Sequence, residues 1–589
     1  MRVGRVEAFD VETDARIGVG PRPYAGDKIF AWQTCDTEGN KRAFRIDPNK
    51  KDPRLQAWLD DPSIEKVCHN LKFELTMLRV CGYTWHPDTV WHDTMIMSQL
   101  IDNLRHTHAL GELAYAFTAR SDNPYDLDLD HEVQRLARTM GGYHRVPHDL
   151  MRAYQEYDVE RTIVLFMVFA PDITGQLYDD YRNEINLIVY PTIDMEARGI
   201  MVDPKRTADL LEWLETECIR AERELLDVTG TEINLRSPDQ LAWLLYSHLR
   251  LPILGYTSTR KPSTKDEVIA RLNHPAVDII KRHRAYTKGY GIITGYLNLM
   301  DSDNIIHPNI QTNRAVTGRE ACSEPNLQNV SKSDIVFDEE TGRQKNYPVP
   351  ARRCFRPRPG HILMVCDQAG IELRLLIEAA GCQKMMDLMR DGHHPHVVAN
   401  QHFWKGTARQ FTTKKGDEAR YGTGKNGHFC IWYGGSAEKF AQTIDLPVSQ
   451  AMVGYSSYCR EFPEAPALNR EGIHKVKRDG HKVVTPFGRP LRIQRDEVYA
   501  WLNYYIQGTA AGIIKRGQTR LKPMDGVYPV LTVHDDIMFE IERPYVKYLP
   551  DIVEQIRRAM VDIDEIKVPL EIEPKISATT WDAVKEVNV

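Results

Sequence analysis

"VYPVLTVHDDIMFEI", residues 527–541, sets two aspartates, Asp535 and Asp536, inside an otherwise apolar run. The flanks read as the two strands of a hairpin whose tip is His534-Asp535-Asp536, and burying charge there is costly unless a cation pairs with it. A second such place lies upstream in "GHILMVCDQAGIELRLLIEAAG" (360–381): a strand, a short link and a helix, with Asp367 at the strand's end. Strand ends and hairpin tips are where a sheet presents functional groups. Two hard divalent cations about 3.5–4 Å apart, held between such carboxylates, suit phosphoryl transfer. Taken alone, the hairpin also reads as an ordinary Asp-rich turn.

The first third offers further carboxylates. "RVEAFDVET" (5–13) reads as a strand, which puts Asp10 and Glu12 on one face. "DLMRAYQEYDVERTIVLFMVF" (149–169) reads as a long amphipathic helix with Tyr154 and Asp158 one turn apart. Between them, "HNLKFELTML" (69–78) contributes Glu74. The strand by itself is equally an edge strand with a solvated face.

At 589 residues the chain is too long for one core. Its 42% hydrophobic and 27% charged residues are ordinary for a globular protein. No apolar run approaches the ~18 residues of a membrane helix; "TIVLFMVFA" (162–170) reads as a buried helix end. The ten cysteines include no CxxC pair, so neither a zinc site nor a disulfide framework is expected and a reducing cytosol is. A net charge of −6 argues against coating nucleic acid by bulk charge. Basic clusters at 41–51, 351–360 and 412–420 leave a local groove open. Strands and helices mix up to about residue 185, helix dominates 186–300, and strands return from 310.

The three early stretches resemble the motifs of DEDD-type 3′-to-5′ exonucleases, in the version with Tyr before the last Asp. Residues 186–589 resemble family A DNA polymerases through "TGREACSEPNLQN" (317–329), "DQAGIELR" (367–374), "KNGHFCIWYG" (425–434), "NYYIQGTAAGIIK" (503–515) and "VHDD" (533–536). The resemblance implies a mixed α/β multidomain fold, with a ribonuclease H-like exonuclease domain over 1–185 and a right-hand polymerase domain over 186–589. Within the latter the thumb is expected at about 205–300, the palm at about 310–370 and 510–589, and the fingers at about 371–509.

Carried over by position, Asp10, Glu12, Glu74 and Asp158 hold two metals, and Tyr154 positions the attacking water. Asp367 and Asp535 hold two more, with Asp536 as a lesser partner; Mg²⁺ is expected, with Mn²⁺ able to substitute. Lys425 meets the triphosphate, Phe429 the sugar and Tyr433 the templating base. Glu372 rejects a ribose 2′-hydroxyl, which points to deoxynucleotides. Arg319, Gln328, Asn329, Asn503, Gln507 and His534 touch primer–template DNA. A monomeric cytoplasmic enzyme of phage-replicase type follows, beginning directly with its exonuclease, without a 5′-nuclease domain or a large thumb insertion. A polymerase with an inactive exonuclease and a non-catalytic DNA-binding relative are the alternatives.

Several positions depart from the family. Glu74 replaces an Asp, and Asp536 a Glu. Tyr499 stands where an Arg is frequent. Tyr421 stands where the family has an Arg four before the lysine. Arg420 lies five before Lys425, and about 500° of rotation turns it off the Lys425 stripe. Either the helix starts later, past Gly422 and Gly424, or another cation serves: Lys414, Lys415 and His396 are candidates.

Overall fold

The computed structural model describes residues 5–15, 22–117, 125–330, 347–405, 411 and 418–587. The first sheet is built on β1 (Arg5–Thr13), flanked by antiparallel β2 (Ile29–Asp36) and β3 (Lys41–Arg45) on one side. Parallel β4 (Ile64–Cys68) and β5 (Trp91–Asp93) lie on the other, giving the order β3-β2-β1-β4-β5. Phe9 and Val11 of β1 turn into a core with Trp58, Leu71 and Leu75, the last two from α1 (Leu71–Val80). Ala8 turns the other way onto Val159 and Ile163 of α2 (His148–Phe169). Asp10 and Glu12 share the Ala8 face by the two-residue repeat. The buried stripe of α2 runs Met151, Gln155, Asp158, Thr162, Leu165 and Phe169, at helical spacing. Asp158 therefore stands where an apolar side chain would ordinarily pack, against the acids of β1.

Helix α3 (Gln176–Leu187) continues through a π turn, Ile188–Thr192, that accommodates Pro191, and on to Arg198. Its Tyr181 and Ile185, and Ile188 and Ile193 beyond, bury in the first core, so the division expected near 185 falls inside a helix. The acids of α3 face the second half of the chain. Asp180 accepts from Arg489 Nε (2.8 Å) and Arg516 Nη1 (3.0 Å); Glu184 accepts from Lys515 Nζ (2.7 Å) and from Arg489. All five side chains are buried. Removing one partner strands the others' charge, so Glu184→Ala is expected to cost about 3–5 kcal/mol of stability. Urea denaturation followed by circular dichroism measures it; a loss no larger than that of an exposed pair would show that water enters this interface.

In the second half, α4 (Pro204–Thr229) and α5 (Pro275–Leu299) pack along each other as an arm. The second sheet is antiparallel: β6 (His361–Gln368), β7 (Val527–Val533), β8 (Asp536–Glu542), β9 (Ile572–Ser577) and β10 (Lys585–Glu586), in the order β7-β8-β6-β9-β10. Leu363, Val365 and Met538 enter a core shared with the arm's base, Leu210 and Tyr296. Met364, Cys366 and Phe539 pack on the opposite face with Ile514 of the helix Trp501–Arg520.

Between β6 and that helix come α6 (Ile371–Ala380) and α7 (Glu418–Trp432), the latter completed by α8 (Trp501–Arg520) in one large apolar cluster. α7 is continuous through Gly422 and Gly424, so the later start allowed by the sequence does not occur. The reason is tertiary. A Cβ on Gly424 would lie 1.7 Å from Asn400 Oδ1. The close approach to that neighbouring segment offsets the helical cost of glycine, about 1 kcal/mol. Among the described residues no helix is long and apolar enough to cross a membrane.

Candidate active sites

β1 and α2 together bring ligand oxygens of Asp10, Glu12 and Asp158 within 4.8 Å of one another. Gln33, paired across from Asp10 on β2, hydrogen-bonds Asp10 and, at 3.3 Å, Glu12 Oε1. Arg161, one turn after Asp158, approaches it at 3.2 Å and Asp130 at 2.9 Å. The Asp158 charge and the site's burial push the Tyr154 phenol up. Burial pushes Asp10 to about 6 and Asp158 to about 8, and lifts Glu12, with Asp10 and Asp158 repelling it further.

Glu74 lies beside this trio, against Asp10. It is not part of the trio that could hold one ion; its Oε2 accepts from the Val11 amide at 3.0 Å and its carboxyl bonds Asp10.

The second centre forms where β6, β8 and β9 end. Asp367 pairs across from Asp536 on one side and Glu573 on the other. The turn is tighter than the sequence reading: Val533 pairs with Asp536, so only His534 (φ +57°) and Asp535 form the tip. Asp536, read as the lesser partner, is thus the one hydrogen-bonded to Asp367, and burial and that neighbour push it to about 8. Asp535 rises through burial, opposed by Arg319 at 3.6 Å. Lys575 Nζ lies 3.5 Å from both Asp367 Oδ2 and Glu573 Oε2. Burial works against the Lys575 ammonium, yet Asp367, Glu573 and Asp536 hold it above its usual range.

On α7, Lys425 is exposed and Phe429 half-buried; Tyr433 follows the helix end and donates to Glu372 Oε1 at 2.5 Å. Arg420 Cζ lies 5.1 Å over the Trp404 ring, off that stripe. His396 is a correction: it is buried, with Nδ1 3.0 Å from His428 Nδ1, and supports α7 from behind. Trp432 Nε1 (2.9 Å) and Tyr458 OH (2.5 Å) both meet His428 Nε2. That nitrogen therefore accepts, and His428 donates from Nδ1. Lys414 and Lys415 lie outside the described residues. Asn329 and Asn503 are exposed, Gln507 is half-buried one turn along from Asn503, and Gln328 is buried beneath Thr532.

The sequence reading missed Gln33, Arg161, Glu573 and Lys575. Gln33 had a signal: a polar residue in the apolar strand "IFAWQTCD". In "EIEPKIS" the alternation sets Glu573 and Lys575 on one face.

Both carboxylate groups suit a divalent cation. Hard oxygen donors converge, and their mutual repulsion, relieved in part by shared protons, is what such an ion removes. The shifted acids also fix a pH dependence. Folded Asp158 and Asp536 keep protons that the unfolded chain releases near pH 4, so their contribution to stability in chelator falls as pH rises from about 4 to about 8. Cations displace those protons. The rise in melting temperature on adding Mg²⁺ is expected to be small at pH 5.5 and large at pH 8, by thermal melts with and without chelator; a gain independent of pH would contradict it.

A five-stranded mixed sheet bearing an acidic trio, joined to a palm-like antiparallel sheet with fingers and an arm, defines a nuclease fold linked to a right-hand polymerase fold. Residues 205–583 match DNA polymerase family A, and residues 8–174 match the 3′-5′ exonuclease family. The chain belongs to DNA polymerase family A. DNA polymerase I of Rhizobium leguminosarum is 28% identical over 556 residues, 90% of this chain and 52% of that protein. DNA polymerase I of Pseudomonas aeruginosa is 25% identical over 558 residues, 90% and 57%. The thermostable DNA polymerase I of Thermus aquaticus is 27% identical over 415 residues, 67% and 47%. The chain thus spans about half the length of these relatives. The solved POL domain of Pol1 from M. smegmatis, in complex with DNA primer-template and dNTP, shares the fold. Its TM-score is 0.77 at 23% identity, over 99% of this chain and 96% of that one.

Proposed function

We propose that this protein is a template-directed DNA polymerase that adds deoxynucleotides to a primer 3′ end and removes them with a 3′-to-5′ exonuclease. The observation that carries the reading is the pairing of two separate carboxylate centres in one chain, one beside a fingers helix that carries Lys425 and Phe429 and ends at Tyr433, which bonds Glu372. Asp367, Asp535 and Asp536 would hold Mg²⁺ at the first centre, and Asp10, Glu12 and Asp158 at the second. Bound there, such ions stabilise charge on the phosphoryl group and on the attacking and leaving oxygens.

Glu372, held by the Tyr433 hydroxyl, is assigned to exclude a ribose 2′-hydroxyl. Phe429 offers a flat face to the sugar, and Lys425 a point charge to phosphate. Arg319, Asn329, Asn503, Gln507 and His534 are assigned to the primer–template. Groups of this kind check pair shape in the minor groove without reading sequence. Tyr154 orients the attacking water, with Asp158 and Gln33 fixing its surroundings. A cleft of about 1140 Å³ between the two halves, lined by Asn70, Phe73, Arg105, Gln311 and Arg314 among others, supports passage of a single strand between them. Ten free cysteines support work in a reducing cytosol.

The test is a gel of 5′-labelled primer on a longer template with Mg²⁺. The primer is expected to lengthen with all four dNTPs and to shorten without them. Duplex binding with neither change would overturn the reading in favour of a DNA-binding relative.

A further inference from the structure

The stripe of α7 lacks a cation at position 421, and the nearby Arg420 is turned onto Trp404. We propose that Lys575 of β9 supplies the missing charge and binds the triphosphate of the incoming nucleotide, an inference that rests on the polymerase reading. The placement comes from register. Val365 pairs with Lys575 and Asp367 with Glu573, so the two-residue repeat sets Lys575, Glu573 and Asp367 on one face. Lys575 Nζ sits 3.5 Å from each carboxylate, beyond the roughly 2.7–2.9 Å of a charge-assisted hydrogen bond. It is held by charge between the two acids without being locked to either, and it keeps access to solvent.

Glu573 holds the amine at 3.5 Å from one side and Asp367 at the same distance from the other. Lys575 therefore lies beside the carboxylates assigned to the α-phosphate. With Asp367 committed to a divalent cation, phosphate oxygens would join Glu573 as partners of the ammonium. Lys425 is already assigned to the triphosphate, and two further cations are paired: Arg319 with Asp535, and Arg374 with Glu571 and the Ala369 carbonyl.

The experiment measures dNTP affinity twice, as KM in extension and as equilibrium binding to the protein on a dideoxy-terminated primer–template, where no turnover occurs. Lys575→Met is expected to weaken both about tenfold or more, the cost of a lost charged hydrogen bond. Lys575→Arg retains most of the affinity, and Tyr421→Arg in the Lys575→Met protein recovers it. Glu573→Gln tightens dNTP binding by freeing the amine. Unchanged affinity in Lys575→Met overturns the inference, as does a defect confined to kcat or to the Mg²⁺ requirement, since the lysine would then serve only Asp367. If Lys575→Met no longer shortens single strands it is misfolded, and unchanged affinity in both Tyr421→Arg and Glu573→Gln then overturns the inference. Failure of the unmodified protein to extend at all overturns the polymerase reading itself.

Discussion

The Asp367→Asn protein is expected to extend primers at least about 10³-fold more slowly than the unmodified protein, a loss of several kcal/mol of transition-state stabilisation. It is expected still to shorten single-stranded DNA. Asp367 is the hub of its centre: Asp536 opposes it across β8, Glu573 across β9, and Lys575 reaches it from the same face. Asn keeps the shape and the hydrogen-bonding capacity but removes the charge that a divalent cation needs. The fold should tolerate the change, because the substitution removes the repulsion that raises Asp536. Stability in chelator is therefore expected to stay level or rise, while the stabilisation conferred by Mg²⁺ shrinks. Single-turnover extension and thermal melts check the two halves separately. Extension within about tenfold of the unmodified rate would move the centre to Asp535 and Asp536 alone.

The separation of the two centres explains why the exonuclease should survive that change. Asp10, Glu12 and Asp158 belong to a different sheet with its own core. Among the contacts that join the halves are the buried ionic contact of Asp180 and Glu184 with Arg489, Lys515 and Arg516, and a tie from Lys72 Nζ to Glu196 and Asn309 at 2.7 Å each. These contacts hold position without sharing any carboxylate between the centres.

Local pattern explains which of these features could be read from the chain. The faces of Asp10, Glu12 and Asp158 were legible from strand and helix periods, and the places of Asp367 and Asp535 from charge interrupting apolar strands, while their grouping into two centres came from the family resemblance. Register was not legible. That Asp536 and not Asp535 opposes Asp367 depends on a two-residue turn at His534, a residue whose φ of +57° no strand pattern announces. Nor was the path of α7, since the helical cost of Gly424 is local while the approach of Asn400 that offsets it is tertiary. His396 looked like an available cation in sequence, yet it is spent on His428. The Arg489–Glu184 pair joins residues 305 apart, and no window of sequence contains both.

Exonuclease activity is expected to divide Asp158 from Glu74. Asp158→Asn should lose at least about 10³-fold in single-strand shortening, because it takes one of three converging carboxylates from the centre. Glu74→Ala should lose less. Its carboxylate is committed to the Val11 amide at 3.0 Å and to Asp10, so it acts by fixing Asp10 on β1. Removing that support leaves the trio in place but lets Asp10 move, and a loss of about 10- to 100-fold matches the effect of deleting a group that orients a metal ligand. Glu74→Asp tests the same geometry from the other side. A carboxylate one methylene shorter no longer reaches the Val11 amide and returns toward the trio. Near-normal activity in Glu74→Asp with a large deficit in Glu74→Ala would place residue 74 among the ligands themselves. Equal, moderate deficits in both would assign it to the support of Asp10. Thermal melts of the same proteins separate either outcome from misfolding.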